Sequence, residues 1–326
     1  MTFVRRRQLL AAIASLPATP PLFAQASGAW PGRPVRIVVP APPAGGTDIL
    51  ARLLAERLSA AFRQPFVIEN KPGANGMIGS ETVARAAPDG YTLLFSFAGA
   101  MVVSPALYRR ALDPLQSFES IAQAGSVGNL LLASPRLPVR SLRELVAYAR
   151  KHPGELSYGS WGIGSGAHLA METFLGQAGI VMNHVPYKGA ANVATDVLGG
   201  TLMLGWADSS SQIQQVKAGR LVALAVSGSS RLPQLPDVPT MSEQGYAFDT
   251  TSWYGLFAPA HTPAEIVRRL NGEVLGGLAT PQLQDRLTAL NIASVPPLSP
   301  GQFRQLVEHD MKTWHRLALA AGVKPE

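Results

Sequence analysis

Short apolar, β-branched runs alternate along this chain with longer stretches whose apolar positions recur at helical spacing. "VRIVVP" (35–40) is apolar at nearly every position, as in a strand covered on both faces. A helical pattern follows from about Thr47 to Phe62. "FVIEN" and "YTLLFSF" predict further strands, separated by a glycine turn and a short helix. Ser141, with Glu144 three residues later, predicts a capping box opening "SLRELVAYARKHP". The alternation continues through strand "ELSYGS", a helix over 165–178, strand "NHVPY", a helix over 190–199, strand "TLMLGWA", a helix near 210–218 and strand "LVALAVS". Thr262-Pro263 with Glu265, Thr280-Pro281 and Ser299-Pro300 each set a capping hydroxyl before a proline at the first helical position. This pattern predicts an α/β fold with parallel sheets and helices on both faces. In such sheets ligands bind beyond the carboxyl ends of strands, at the loops leading into helices. The proline-rich stretch at 229–240 predicts a surface connection between lobes.

Composition narrows the classes. Arg5, Arg6 and Arg7 precede a short apolar run and an Ala24-x-Ala26 site, the layout of an export signal cleaved near Ala26. Export by the Sec route fits, and the paired arginines are also compatible with the twin-arginine route. The remaining chain of about 300 residues predicts two lobes. Three of the seven net positive charges lie in the signal, and the other basic residues are scattered singly, which argues against nucleic-acid binding. The chain has no cysteine, so thiolate metal sites and cysteine nucleophiles are excluded. Its six histidines show no ligand spacing, and no metal or cofactor is expected.

Two glycine turns carry the candidate chemistry. In "YGSWGIGSGAHLAMETF" (158–174), Gly162, Gly164 and Ala167 formally meet the dinucleotide fingerprint. The next strand, however, ends "NHVPYKG", with Lys188 and no carboxylate to hold a ribose. Ser165 and His168 stand one helical turn apart and, with Asp208, could form a hydrolytic triad, but the serine spacing does not match a nucleophile elbow. The simpler reading is a helix N-terminus whose bare N–H groups hold an anion. "VVPAPPAGGTDILAR" (38–52) offers a second such place. Its prolines stiffen the strand exit, Gly45 and Gly46 allow close approach, and Thr47 or Asp48 caps the helix. Two such termini facing one cleft would suit a ligand with a carboxylate at each end.

Several longer motifs, taken in order, resemble the extracytoplasmic receptors of tripartite tricarboxylate transporters, the Bug receptors. They are "ENKPGANGMIGSETVARAAPDGYTLL" (69–94), the 158–174 loop and helix, "HVPYKGAANVATDVLGG" (184–200), and "LPDVPTMSEQGY" with "SWYGLFAPAHTPAEIVRRLN". The resemblance covers nearly all of residues 30–324. It implies a two-lobe periplasmic binding protein of the type II kind, each lobe a mostly parallel sheet flanked by helices. Lobe 1 would take residues 27–120 plus 227–326, and lobe 2 residues 121–226. It further implies a monomeric, non-enzymatic protein that captures a small organic acid and passes it to large and small membrane subunits. The carboxylates would be held mainly by main-chain N–H groups at Ala44, Gly45, Thr47 and Asp48 and at Gly164, Ser165, Gly166 and His168. Tyr187 and Asp208 would face the cleft. Three positions depart from the family pattern: Ala41 replaces an aromatic residue, Ala44-Gly45 replaces a glycine pair, and Trp161 replaces a small residue. A sensor for a signalling partner and an exported Ser165/His168 hydrolase are the alternative readings.

Overall fold

The structure is a computed structural model that describes residues 30–320 apart from 109, 229 and 249. The export signal expected at 1–26 lies outside the described residues. In chain order the strands are β1 (Val35–Val39), β2 (Phe66–Asn70), β3 (Thr92–Phe97), β4 (Phe118–Val127), β5 (Asn129–Ala133), β6 (Ser157–Ser160), β7 (Asn183–Pro186), β8 (Leu204–Asp208), β9 (Val222–Val226), β10 (Ser252–Pro259) and β11 (Ile292–Ala293). The helices are α1 (Gly46–Phe62), α2 (Met77–Ala84), α3 (Ser104–Leu107), α4 (Pro114–Ser117), α5 (Leu142–Lys151), α6 (Gly166–Ala178), α7 (Ala190–Gly199), α8 (Ser209–Lys217), α9 (Ala264–Leu278), α10 (Pro281–Ala289) and α11 (Pro300–Ala320).

Among the described residues the strands form two sheets. One has six strands in the order β11-β4-β10-β3-β1-β2, and the other five in the order β7-β6-β8-β5-β9. β1 pairs in parallel with β2 and β3, while β10 lies antiparallel between β3 and β4. In the second sheet β6 pairs in parallel with β7 and β8, and β5 lies antiparallel between β8 and β9. Most strands of each sheet therefore run one way. β5, β10 and the short edge strand β11 run against them, and β5 and β10 are the strands on which the chain enters each sheet from the other. Local hydrophobic pattern shows that such strands exist but not which way they run. β4 belongs wholly to the six-stranded sheet, so the lobe boundary expected at 120/121 lies within it.

Helix faces follow the sequence. Leu50, Leu54 and Leu58 of α1 are buried at four-residue spacing, and each such leucine contributes about 2 kcal/mol. Ser141 Oγ accepts the Glu144 N–H at 3.2 Å, while the Glu144 carboxylate takes the Arg140 N–H at 2.6 Å, one residue earlier than in the usual capping box. Ser299 and Gln302 cap each other reciprocally ahead of α11. Pro263 precedes the first residue of α9 rather than occupying it.

The last helix is fixed by aromatic packing. The Trp253 and Phe303 rings meet edge-on at 5.4 Å, and Trp253 Nε1 donates to Asp310 Oδ2 at 2.7 Å. That anchorage carries Trp314, one helical turn further on, toward the second sheet. The same apolar cluster extends through Met101 and Leu107 to Tyr158, Phe174 and Trp206 of the five-stranded region. On the opposite side the chain passes directly from β4 through Gly128 to β5. There, Asn129 and Ser227 are joined by two hydrogen bonds of 2.9 Å. No helix among the described residues is long and apolar enough to cross a membrane.

Candidate ligand-binding cleft

Segments leaving the carboxyl ends of strands in both sheets enclose a cleft with about 960 Å³ of empty space, part of it open to solvent. From the first sheet come Pro40 to Pro43 and Gly45 to Thr47 after β1, with Phe97 to Gly99 at the end of β3. From the second come Trp161 and Gly166 after β6, Lys188 to Ala191 after β7, and Asp208 at the end of β8. The first residues of α1 and α7 line this space, and their N-cap residues, Gly45 and Gly189, supply no side-chain cap. The leading N–H groups of a helix have no partner within it, so both ends present bare donors and a partial positive charge. Gly166, first residue of α6, adds a third terminus.

The β1–α1 loop is shaped by Asp48, which is 3 % exposed. Its carboxylate accepts the Ala44 N–H at 3.0 Å, the Asn70 amide at 2.9 Å and two bonds from Arg52 at 2.9 and 3.0 Å. Burial alone would raise its pKa, but the bonds from Arg52, Ala44 and Asn70 outweigh that and hold it below the usual carboxylate range. Ala44 takes a left-handed conformation, φ 64°, which a side chain disfavours. Its N–H is thereby turned into the protein, onto Asp48.

The β6–α6 loop is organised from behind. Gly164, with φ 69°, donates its N–H to His168 Nδ1 at 3.0 Å, and Ser165 Oγ accepts the His168 N–H at 3.3 Å. An Nδ1 that accepts a bond leaves the ring proton of neutral His168 on Nε2, 3.9 Å from Glu172 Oε1. The His168 and His184 rings stack at 4.0 Å, and Tyr158 stacks on the far face of the pair. Tyr158 donates to Glu172, and His184 Nε2 lies 2.6 Å from Ser160 Oγ. Burial lowers the pKa of both histidines, that of His184 to about 4. Ser165 is fully buried and acts as the helix cap.

Of the residues singled out in the sequence, Gly45, Thr47, Gly166 and Asp208 line the cleft. Ala44, Asp48, Gly164, Ser165 and His168 are not among the lining residues, and their hydrogen bonds shape the two loops. Tyr187 turns its hydroxyl to Asp196 Oδ2 at 2.7 Å; burial, and then that bond, raise its pKa to about 12. Trp161, marked as a departure from the family pattern, is part of the wall. The sequence reading missed Tyr254 and Trp314, which reach the cleft from β10 and α11. No local signal could have found them, because they arrive from distant segments. The uncapped start of α7 is legible in "YKGAAN" as a glycine ahead of a helical pattern. Among the described residues no group of three or more metal-ligating side chains occurs.

The model of the tripartite tricarboxylate transporter family receptor matches residues 50–323. Protein BugT of Bordetella pertussis is 33% identical over 324 residues, 97% of this chain and 98% of its own. The solved structure of the periplasmic binding protein BugD is 35% identical, with a TM-score of 0.85, covering 91% of this chain and 100% of its own. Rpa4515 of R. palustris, solved with adipate, is 36% identical with a TM-score of 0.87 over the same shares.

Proposed function

Since this chain belongs to the tripartite tricarboxylate transporter receptor family, we propose that it captures a small organic-acid anion in the cleft between its two sheets. In this reading each sheet is the core of a lobe, and the chain changes lobe at Gly128 and between Ser227 and Ser252. The N-terminal signal directs the protein to the periplasm. There it binds as a monomer and hands its ligand to the large and small membrane subunits of a transporter.

One observation carries the reading: uncapped helix termini from both sheets open onto one space beyond the strand ends, with a single lysine beside them. The N–H groups of Gly46, Thr47, Gly166, Ala190 and Ala191 are the proposed grip. Those of Ala44 and Gly164 serve the loops instead. The adipate held by Rpa4515 supports a carboxylate as the ligand class. No bond is broken in this cycle. Main-chain dipoles neutralise the charge, and they let go more readily than a bidentate arginine would.

A thermal-shift screen against mono-, di- and tricarboxylates and aromatic acids tests the binding, because a ligand specific for the folded state raises Tm by mass action. At least one acid should raise it in proportion to the logarithm of its concentration. A flat response across the series removes the reading. Loss of ligand uptake on deletion of the cognate membrane subunits tests the transport role.

A further inference from the structure

Asp208 ends β8, and its register partner across the antiparallel ladder is Asn129, the first residue of β5. Both line the cleft. Asp208 stands at the N-cap position of α8, where an aspartate ordinarily accepts a backbone N–H, yet its side chain makes no capping bond. Its main-chain oxygen receives the Ser211 hydroxyl, while no side-chain hydrogen bond and no nearby charge offset the burial of its carboxylate, whose pKa rises to about 6. Asn129 repeats the pattern: its backbone is tied to Ser227, and its side-chain oxygen has no partner in the protein. An unpartnered carboxylate on the wall of the cleft is thus set, in register across the ladder, beside a residue whose buried amide oxygen is also unpartnered.

Lys188 and Asp208 are the charged side chains among the described lining residues. Helix termini and Lys188 provide for carboxylate groups elsewhere along the cleft. A second carboxylate reaching Asp208 would set two like charges side by side with no cation between them, whereas a cation there would pair with the Asp208 carboxylate. We propose that Asp208, backed by Asn129, reads a hydrogen-bond donor on the ligand and selects carboxylates bearing an ammonium group over dicarboxylates of equal length. The proposal rests on the carboxylate-receptor reading and narrows it. Asp208 is here a specificity-determining residue that touches the ligand.

Calorimetric titration of the mature protein at pH 7.5 with matched pairs tests it. The pairs are 3-aminopropanoate against succinate, 5-aminopentanoate against adipate, and 4-(aminomethyl)benzoate against terephthalate. The expected result is that the amino member of at least one pair binds tenfold or more tightly than its diacid. Asp208→Asn should then lower that amino-ligand affinity by at least tenfold and leave the diacid's equal or tighter. Asn129→Ala keeps the carboxylate and should weaken the same ligand severalfold without affecting the diacid, which preserves the comparison if the Asp208 variant does not fold. Diacids binding as tightly as, or more tightly than, every amino partner overturn the proposal. So does a preference for the amino ligand that survives both substitutions, and so does binding confined to acids without an amino group. In each of those cases the receptor reading stands. Absence of binding by every carboxylate, with or without an amino group, brings down both.

Discussion

At the scale of single residues, two carboxylates with opposite circumstances shape this cleft, the buried Asp48 and the half-buried Asp208. Asp48 is saturated with donors and holds the first loop. Removing it in Asp48→Ala strands Ala44, Asn70 and Arg52. Breaking a buried charge pair costs about 3–5 kcal/mol, and the exposure of Arg52 reduces that here to about 2–3 kcal/mol. Urea unfolding should report that loss. Asp208 is the reverse case, a carboxylate without partners. Its pKa of about 6 in the folded protein against 3.8 unfolded means that the folded state holds its proton more tightly. Stability from this group is therefore fullest below about pH 4, and it falls as pH rises through 6. Asp208→Asn should raise stability at pH 7.5 by roughly 2–3 kcal/mol, at about 1.4 kcal/mol per pKa unit, with the gain vanishing near pH 4. Calorimetric melts at the two pH values check this; an equal effect at both would show that the carboxylate is not ionised against a penalty.

At the scale of elements, the β6–loop–α6 unit shows what sequence can and cannot disclose. "YGSWGIGSGAHLAMETF" revealed a strand, a glycine elbow and a capped helix, because period, glycine and serine each leave a local mark. It did not reveal that His168 would accept the Gly164 N–H, since that depends on a ring rotamer set by His184 and Tyr158 from a neighbouring strand and beneath the loop. Helices over 165–178 and 190–199 were legible almost to the residue. The antiparallel placement of β5 and β10 was not, because strand direction is fixed by connections over a hundred residues apart. Gly164 itself is constrained twice, by φ 69° and by Leu107, whose Cδ1 would lie 2.5 Å from an added Cβ. Gly164→Val should therefore shift the loop and lower ligand affinity by more than tenfold, through geometry rather than through a lost donor. Calorimetry showing unchanged affinity would mean that the loop does not form the binding wall. The histidine pair adds a pH signature. Both rings are held neutral below the ordinary histidine range, so their contribution to stability is present above about pH 6.5 and is lost as pH falls toward 4. His184→Phe should leave stability at pH 7.5 little changed and flatten the acid side of the profile, as read by urea midpoints at pH 7.5 and 5.

At the scale of the whole molecule, contacts between segments of the two sheets flank the cleft on two sides. On one flank Tyr108 donates its hydroxyl to the Ile163 carbonyl, and the Trp314 ring packs against Gly166. On the other, Pro42 stands against Gly189, where an added Cβ would lie 3.3 Å from the proline ring. Among the described residues the chain crosses between the sheets at Gly128 and again between Ser227 and Ser252, while the flank contacts are made by side chains. Under the receptor reading proposed above, the cleft would close by a hinge, with the ligand and the flank contacts together stabilising the shut form. Trp161 and Trp314 both face the ligand space, so closure should change tryptophan emission and make it a direct reporter. Tyr108→Phe deletes one flank hydrogen bond without touching the grip. Such a bond contributes about 1 kcal/mol net, so ligand affinity should fall about three- to tenfold. Most of that change should lie in the release rate, because the latch acts after capture. Stopped-flow tryptophan fluorescence separates the two rates. A variant that releases its ligand as slowly as the parent would show that the Tyr108 contact does not hold the cleft shut, whereas faster release with capture unchanged would place the latch on the exit step alone.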